Sequence, residues 1–241
     1  MAHSFVRRLI DGPLDRLAIA LGTRIERRRA VIERALLPRF AMAGPGLVLQ
    51  SPFDVRHPER ITIGQDVRIG PNSVLKMVAH YPRAWMRHPT GEHVEQQFDP
   101  HLVIGDRVTA TAGLRVVVYD LVTIEDDALI GANVYLSDGR HAVGRGDRPY
   151  KYQGIEAIAP IRVGRGAWIG NNAVVLPGVQ VGPYAVIGAN SVVTADVPEG
   201  AIVVGAPARV VRRWDAVEGA WVTADSATHG MGEPEDASWT G

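Results

Sequence analysis

The sequence predicts a parallel β-helix, a solenoid of short strands, and three features carry that prediction. The first is a beat of six: residues 163–204 divide into VGRGAW, IGNNAV, VLPGVQ, VGPYAV, IGANSV, VTADVP and EGAIVV. Val or Ile opens six of these seven blocks, which aims one side chain in every six at an apolar interior. The second is the fifth position, filled by small or β-branched residues (Ala167, Ala173, Val179, Ala185, Ser191, Val197, Val203) that leave room in a narrow core. The third is glycine, usual at the second position and expected to permit corner geometry that other residues resist. A helix would repeat its apolar residues every three or four positions, and this stretch does not. The beat recurs out of phase at 63–74 and 124–135. Such repeats bury a core only by stacking on their neighbours. About seventeen hexads, taken three to a coil, give five to six coils and a stack of roughly 25 Å.

Bulk composition narrows the function. The 241-residue chain has 26 basic and 26 acidic side chains, so no global charge draws it to nucleic acid or a membrane. It has no cysteine, which excludes disulfides, thiolate nucleophiles and thiolate metal sites. No apolar run approaches the ~20 residues of a membrane span, and no sustained apolar stretch follows Arg7 and Arg8 as a secretory signal requires. The expected location is the cytoplasm.

In chain order, residues 1–44 come first. Leu14, Leu17, Ala18, Leu21, Ile25, Ile32 and Leu36 fall near helical spacing, which predicts an N-terminal helical segment capping the first coil. A second role for it, at an anionic membrane surface, rests on Arg24, Arg27, Arg28 and Arg29, a face that Glu26 and Glu33 dilute. The solenoid follows over 45–213, interrupted at 77–101 and 137–156. The first interruption holds four of the eight histidines together with Tyr81 and Trp85. Solenoid insertions emerge on one face, often the binding face, and these two aromatic residues suit stacking on a sugar ring. The competing reading is an insertion that only packs on the coil. The second interruption, LSDGRHAVGRGDRPYKYQGI, surrounds His141. The last segment, 214–241, has six acids and no Lys or Arg, and predicts an irregular, acidic tail.

The run IGNNAVVLPGVQVGPYAVIGANSVVTADVPEGAIVVGAPARVVR resembles the hexapeptide-repeat acyltransferases. It is most similar to the branch with maltose, galactoside and polysaccharide O-acetyltransferases, over roughly 60–76 and 102–213. The resemblance implies a left-handed parallel β-helix, a homotrimer, and acyl-CoA bound in a cleft between neighbouring subunits. Left-handed crossovers are rare, so the handedness comes from the resemblance alone.

The same resemblance implies the site. His141, in Ser137-Asp138-Gly139-Arg140-His141, matches the family's catalytic base, with Asp138 placed to orient its ring. The chemistry suits an imidazole: a sugar hydroxyl attacks well only as a base takes its proton, and an ordinary histidine titrates near 6.5. Trp168 matches a Trp lining the acyl and acceptor site, Asn171 a position near the pantetheine arm, and Ala189 and Thr194 match contacts along that arm. Arg209 and Arg212 match contacts to the CoA phosphates, which guanidinium groups bind bidentately. Thr111 stands where relatives hold an acceptor-binding Asn, and Ala195 where many have a Lys.

The expected activity is therefore transfer of an acyl group, acetyl, from CoA to a sugar hydroxyl of a glycan or glycan precursor, with no metal. Three alternatives stand beside it: N-acetylation of an amino sugar, a γ-carbonic-anhydrase-like zinc enzyme using His80, His88 and His93, and a non-catalytic scaffold.

Overall fold

The computed structural model describes residues 39–224, apart from the Trp85 side chain. The expected N-terminal helical segment and the tail beyond Ala224 lie outside the described residues. Within them the hexads become strands of two to five residues on three parallel sheets. The first face stacks Met42–Ala43, Ile61–Ile63, His101–Ile104, Leu121–Ile124, Ile161–Val163 and Gln180–Val181. The second stacks Val48–Leu49, Arg68–Ile69, Thr109–Ala110, Leu129–Ile130, Trp168–Ile169, Val186–Ile187 and Ala201–Gly205. The third stacks Phe53–Arg56, Ser73–Met77, Arg115–Val118, Tyr135–Ser137, Val174–Val175 and Val192–Val193. The chain visits the three in turn and returns one rung along, which makes six full coils among the described residues.

The first residue of each hexad points inward and stacks on its equivalent. Ile63, Ile104, Ile124, Val163 and Val181 form one such column in register, each at most 1% exposed. Truncating an inner Ile to Ala opens a void against the coils above and below, at about 2–5 kcal/mol. The fifth position behaves as expected: Ala167, Ala173, Ala185 and Ser191 are all fully buried.

Gly46, Gly113, Gly166, Gly178 and Gly200 take the left-handed corner conformation as expected, but most second-position glycines do a different job. Left-handed corner conformations fall mainly on other residues, Asp66, Arg107, Asp127 and Tyr184 at one corner and Asn72, Asn133, Asn172 and Asn190 at the next. Asparagine tolerates this conformation best, and its amide links the rungs: Asn133 Nδ2 donates to Asn172 Oδ1 (3.2 Å), and Asn172 Nδ2 to Asn190 Oδ1 (3.1 Å). The second-position glycines instead let coils approach. A Cβ on Gly70 would lie 1.7 Å from the Thr111 carbonyl oxygen, and one on Gly170 2.6 Å from the Ala189 nitrogen.

Both interruptions leave from the end of a third-face strand, so they emerge at the same corner, two coils apart. Each begins as a two-stranded antiparallel ribbon, His80–Tyr81 with Gln96–Gln97 and Arg140–His141 with Ile155–Glu156. The second is longer than expected, because the ladder resumes only at Ile161.

The close of the solenoid also departs from expectation. After Gly205 the chain reverses, and Ala208–Asp215 runs antiparallel to Ala201–Gly205 before pairing with Ala220–Thr223. The expected irregular tail is thus ordered sheet as far as Thr223, with Trp214 and Trp221 edge to face at 5.5 Å. Alternating exposed apolar and polar residues on a one-sided antiparallel strand lack the hexad signature, so the beat could not reveal it.

Candidate active site

His141 sits on the ribbon that lifts the second interruption off the coil, exposed, with its ring edge-on to Tyr81 at 5.7 Å. Among the described residues its ring nitrogens have no hydrogen-bond partner, which leaves them for solvent or substrate. Gly139 makes the lift-off possible. A Cβ there would meet the Tyr119 ring at 2.7 Å and Ile155 at 3.1 Å. Ser137 donates from its hydroxyl to the Gly139 carbonyl (2.8 Å) and closes the turn.

Asp138 is fully buried, and its carboxylate does not orient the imidazole. One oxygen accepts the backbone N–H of Tyr119 (2.7 Å), the other that of Asp120 (2.8 Å). Its role is to tie the base of the ribbon to the preceding coil. Burial pushes its pKa up, and the backbone N–H bonds oppose that. Tyr119, half-buried beside it and edge-on to Phe98, is pushed up to about 12, chiefly by loss of solvent.

The first interruption docks on the second. Tyr81 is 4% exposed and its hydroxyl donates to the Lys151 carbonyl, so it packs against His141 instead of offering a face to a sugar. Trp85 lies in the turn Ala84–Met86, with its side chain outside the described residues. Val94 N–H donates to the Tyr152 carbonyl (3.0 Å), and the Gln96 side chain bonds both backbone groups of Ile155. Sequence reasoning missed Gln96, since an isolated glutamine in an insertion carries no periodic or motif signal. Between the two insertions lies a cavity of about 610 Å³ walled by His88, Glu92, His93, Arg145, Arg148 and Tyr152.

The histidines of the first interruption do not converge on a metal. His80 faces the Gln96 carbonyl, His88 the Thr90 hydroxyl and His93 the Glu95 carboxylate. No group of three metal-ligating side chains occurs among the described residues.

The second face carries the other half of the expected site. Its outward positions align in register as Leu129, Trp168, Val186, Ile202 and Arg212. Trp168 points outward as a residue too large for the narrow core must, and is 50% exposed. Arg212 lies three rungs beyond it, ~14 Å along the stack.

Arg209 and Arg212 are three apart on one strand, a spacing that in regular pleating sends side chains to opposite faces. The ladder is not regular there. Val203 pairs with Val210 and Ile202 with Arg212, which leaves Val211 as an extra residue in a bulge. Arg209 opposite Val204 and Arg212 opposite Ile202 consequently share the outer face. Both are exposed, and neither pairs with an acid among the described residues.

The remaining expected residues lie at corners. Thr111, exposed, donates weakly to the Ile130 carbonyl (3.4 Å), and Asn171 accepts the Ala132 N–H through its side-chain oxygen (2.8 Å). Both therefore link coils at the exit of the second face, where exposed Ala189 also lies. Thr194, exposed, comes one corner further on, after Val192–Val193. Within one chain Thr111 and the second-face column are on a different side of the prism from the His141 ribbon.

Comparison with known proteins gives the arrangement relatives. The family described as bacterial transferase hexapeptide (six repeats) matches residues 160–195, and hexapeptide repeat of succinyl-transferase matches 121–139. Galactoside O-acetyltransferase of Escherichia coli (strain K12) is 36% identical over 177 residues, 73% of this chain and 80% of that protein. Nodulation protein L of Rhizobium meliloti (strain 1021) is 48% identical over 90 residues, 37% of this chain and 47% of that protein. Among solved structures, a galactoside acetyltransferase in complex with coenzyme A has a TM-score of 0.51 at 26% identity, covering 80% of this chain and 74% of that one. A mutant of AntD, an N-acyltransferase from Bacillus cereus, shares the fold with a TM-score of 0.59 at 17% identity, over 77% of this chain and 90% of that one.

Proposed function

The chain belongs to the hexapeptide-repeat acetyltransferases, enzymes that take their acyl group from acetyl-CoA, and from that premise we propose that it acetylates a sugar hydroxyl of a glycan or glycan precursor. His141 is the general base. As the acceptor oxygen attacks the thioester carbonyl, its proton passes to the imidazole. The C–S bond then breaks, and the departing thiolate takes that proton back. With no cysteine in the chain, transfer is direct and not through a thioester on the protein.

The observation that carries the reading is the outer column of the second face. It sets an exposed Trp168, two aliphatic rungs and an arginine in a line, with Arg209 turned to the same side by the bulge. An apolar track ending in two exposed guanidinium groups, neither paired with an acid among the described residues, fits a flexible apolar arm that ends in phosphates. The His141 ribbon lies on another side of the same chain, so one copy supplies the base and its neighbour the CoA track. A neighbouring copy is therefore part of the proposal, which takes the assembly to be a homotrimer; the left-handed winding and the cytoplasmic location are proposed with it on the family likeness alone.

The test measures free CoA with a thiol reagent while purified protein, acetyl-CoA and a panel of sugars react. His141→Ala is expected to lower turnover at least ~10²-fold with CoA binding intact. Protein that binds no CoA by calorimetry would remove the acetyltransferase reading, and full turnover in His141→Ala would remove the base.

A further inference from the structure

Two pairs of residues face each other where the interruptions meet. Tyr81 pairs with Gln96 on the first ribbon, and His141 with Ile155 on the second. The Tyr81 ring abuts the His141 ring, and the Gln96 amide holds Ile155 from both sides. Gln96 Oε1 accepts the Ile155 N–H (2.7 Å) and Gln96 Nε2 donates to the Ile155 carbonyl (2.9 Å). Only one orientation of the amide satisfies both bonds.

These bonds define the pairing of His141 as well. An antiparallel residue that spends its N–H and carbonyl on an outside partner cannot also exchange them with the residue opposite. His141 and Ile155 are therefore a non-hydrogen-bonded pair, with α-carbons about 4.5 Å apart and side chains close. The Ala142 N–H donating to the Gly154 carbonyl (3.1 Å), one step along, agrees with that register. A two-stranded ribbon is marginally stable alone and has an open edge. Gln96 closes that edge at the position across from His141, as a third strand would. Gly154 makes room for it: its φ is +94°, and a Cβ there would lie 2.7 Å from Gln96 Oε1.

We infer that Gln96, seconded by Tyr81, is a positioning residue for His141, locking the strand opposite the base so that the imidazole has one location. The inference rests on the reading of His141 as the base. Tyr81 locates the ring laterally, while Gln96 fixes the strand behind it. A base must meet the acceptor hydroxyl within hydrogen-bond reach, and misplacement by about 1 Å costs on the order of a hundredfold.

Gln96→Met keeps the side chain's bulk and removes both bonds. Its kcat is expected to fall on the order of tenfold to a hundredfold, with KM for acetyl-CoA within twofold and the fold intact by circular dichroism. Gln96→Glu, which retains an acceptor for the Ile155 N–H, is expected to fall between the two and serves if the Met variant folds poorly. A readout independent of turnover is the imidazole NMR spectrum of histidine-labelled protein, in which His141 is identified by its loss in His141→Ala. In Gln96→Met the His141 signal is expected to shift or broaden while the other histidines remain. An unchanged His141 signal in a folded Gln96 variant overturns the clamp. So does a kcat within twofold of the parent while His141→Ala is inactive. Full activity of His141→Ala would instead overturn the base, with the spectrum still deciding the clamp.

Discussion

Arg212 and Arg213 are neighbours with the same charge, and the ladder sends them to opposite faces. Arg212 pairs with Ile202, whose side chain faces outward, and Arg213 pairs with Ala201, whose side chain is fully buried inward. If the outer column is the CoA track, replacing each by Ala separates a bonded guanidinium from mere proximity of charge. A hydrogen bond to a charged group contributes about 1.5–3 kcal/mol, so Arg212→Ala is expected to weaken CoA binding about 10- to 150-fold. Arg213→Ala loses the same formal charge without a phosphate bond. Screening at 0.1 M salt leaves exposed charges little reach, so its effect should stay within about threefold. Isothermal titration calorimetry with CoA at 0.1 M salt reads both values, and Arg209→Ala should behave like Arg212→Ala. Equal losses in Arg212→Ala and Arg213→Ala would refute the face assignment and reduce the effect to net charge. No loss in either would place the phosphates elsewhere.

Other consequences follow from particular atoms. Gly70→Ala drives a Cβ to 1.7 Å from the Thr111 carbonyl oxygen, so chemical denaturation should show a loss of at least about 1–3 kcal/mol, whereas Gly146→Ala, with open space around it, should be near neutral. Gly139→Ala forces its Cβ against the Tyr119 ring, and is expected to lower kcat through the His141 ribbon more than it lowers melting temperature. Asp138→Asn keeps one acceptor oxygen for the backbone N–H groups of Tyr119 and Asp120 and removes the titrating carboxyl, so comparison with the parent isolates the effect of its ionisation. Its pH dependence has a defined sign. Burial raises the folded-state pKa of Asp138, so its contribution is fully present below the unfolded value, about 3.9, and is lost as pH rises through the folded one. The deficit of Asp138→Asn relative to the parent should therefore shrink as pH rises from about 4, by urea midpoints at successive pH values. A deficit that grows over that range would contradict the assignment of burial as the dominant cause.

Much of the fold was legible because its information is local. A hexad needs one inward aliphatic and one small residue, and both are visible in any six-letter window, as at Ile169 and Ala173. The position of His141 was legible for the opposite reason: it stands where the beat stops. The role of the second-position glycines was misjudged because Gly70 and Gly170 are constrained by atoms of the next coil, 41 and 19 residues away at Thr111 and Ala189. Asp138 and Tyr81 were likewise placed by type, and the structure gave each a backbone partner elsewhere in the chain.

The sequence by itself determined the repeat, the strand-and-corner alternation, the interruptions and the chemistry available at them, since hydrophobic period and side-chain type are properties of neighbours along the chain. Tertiary structure alone decided three things. The two interruptions leave the same corner and lock together through Tyr81 and Gln96. Arg209 and Arg212 share a face because Val211 bulges out of the ladder. His141 and the Trp168 column lie on different sides of one prism. Each depends on which strands meet and in what register, and a one-residue change of register reverses every side chain without altering a letter of the local pattern.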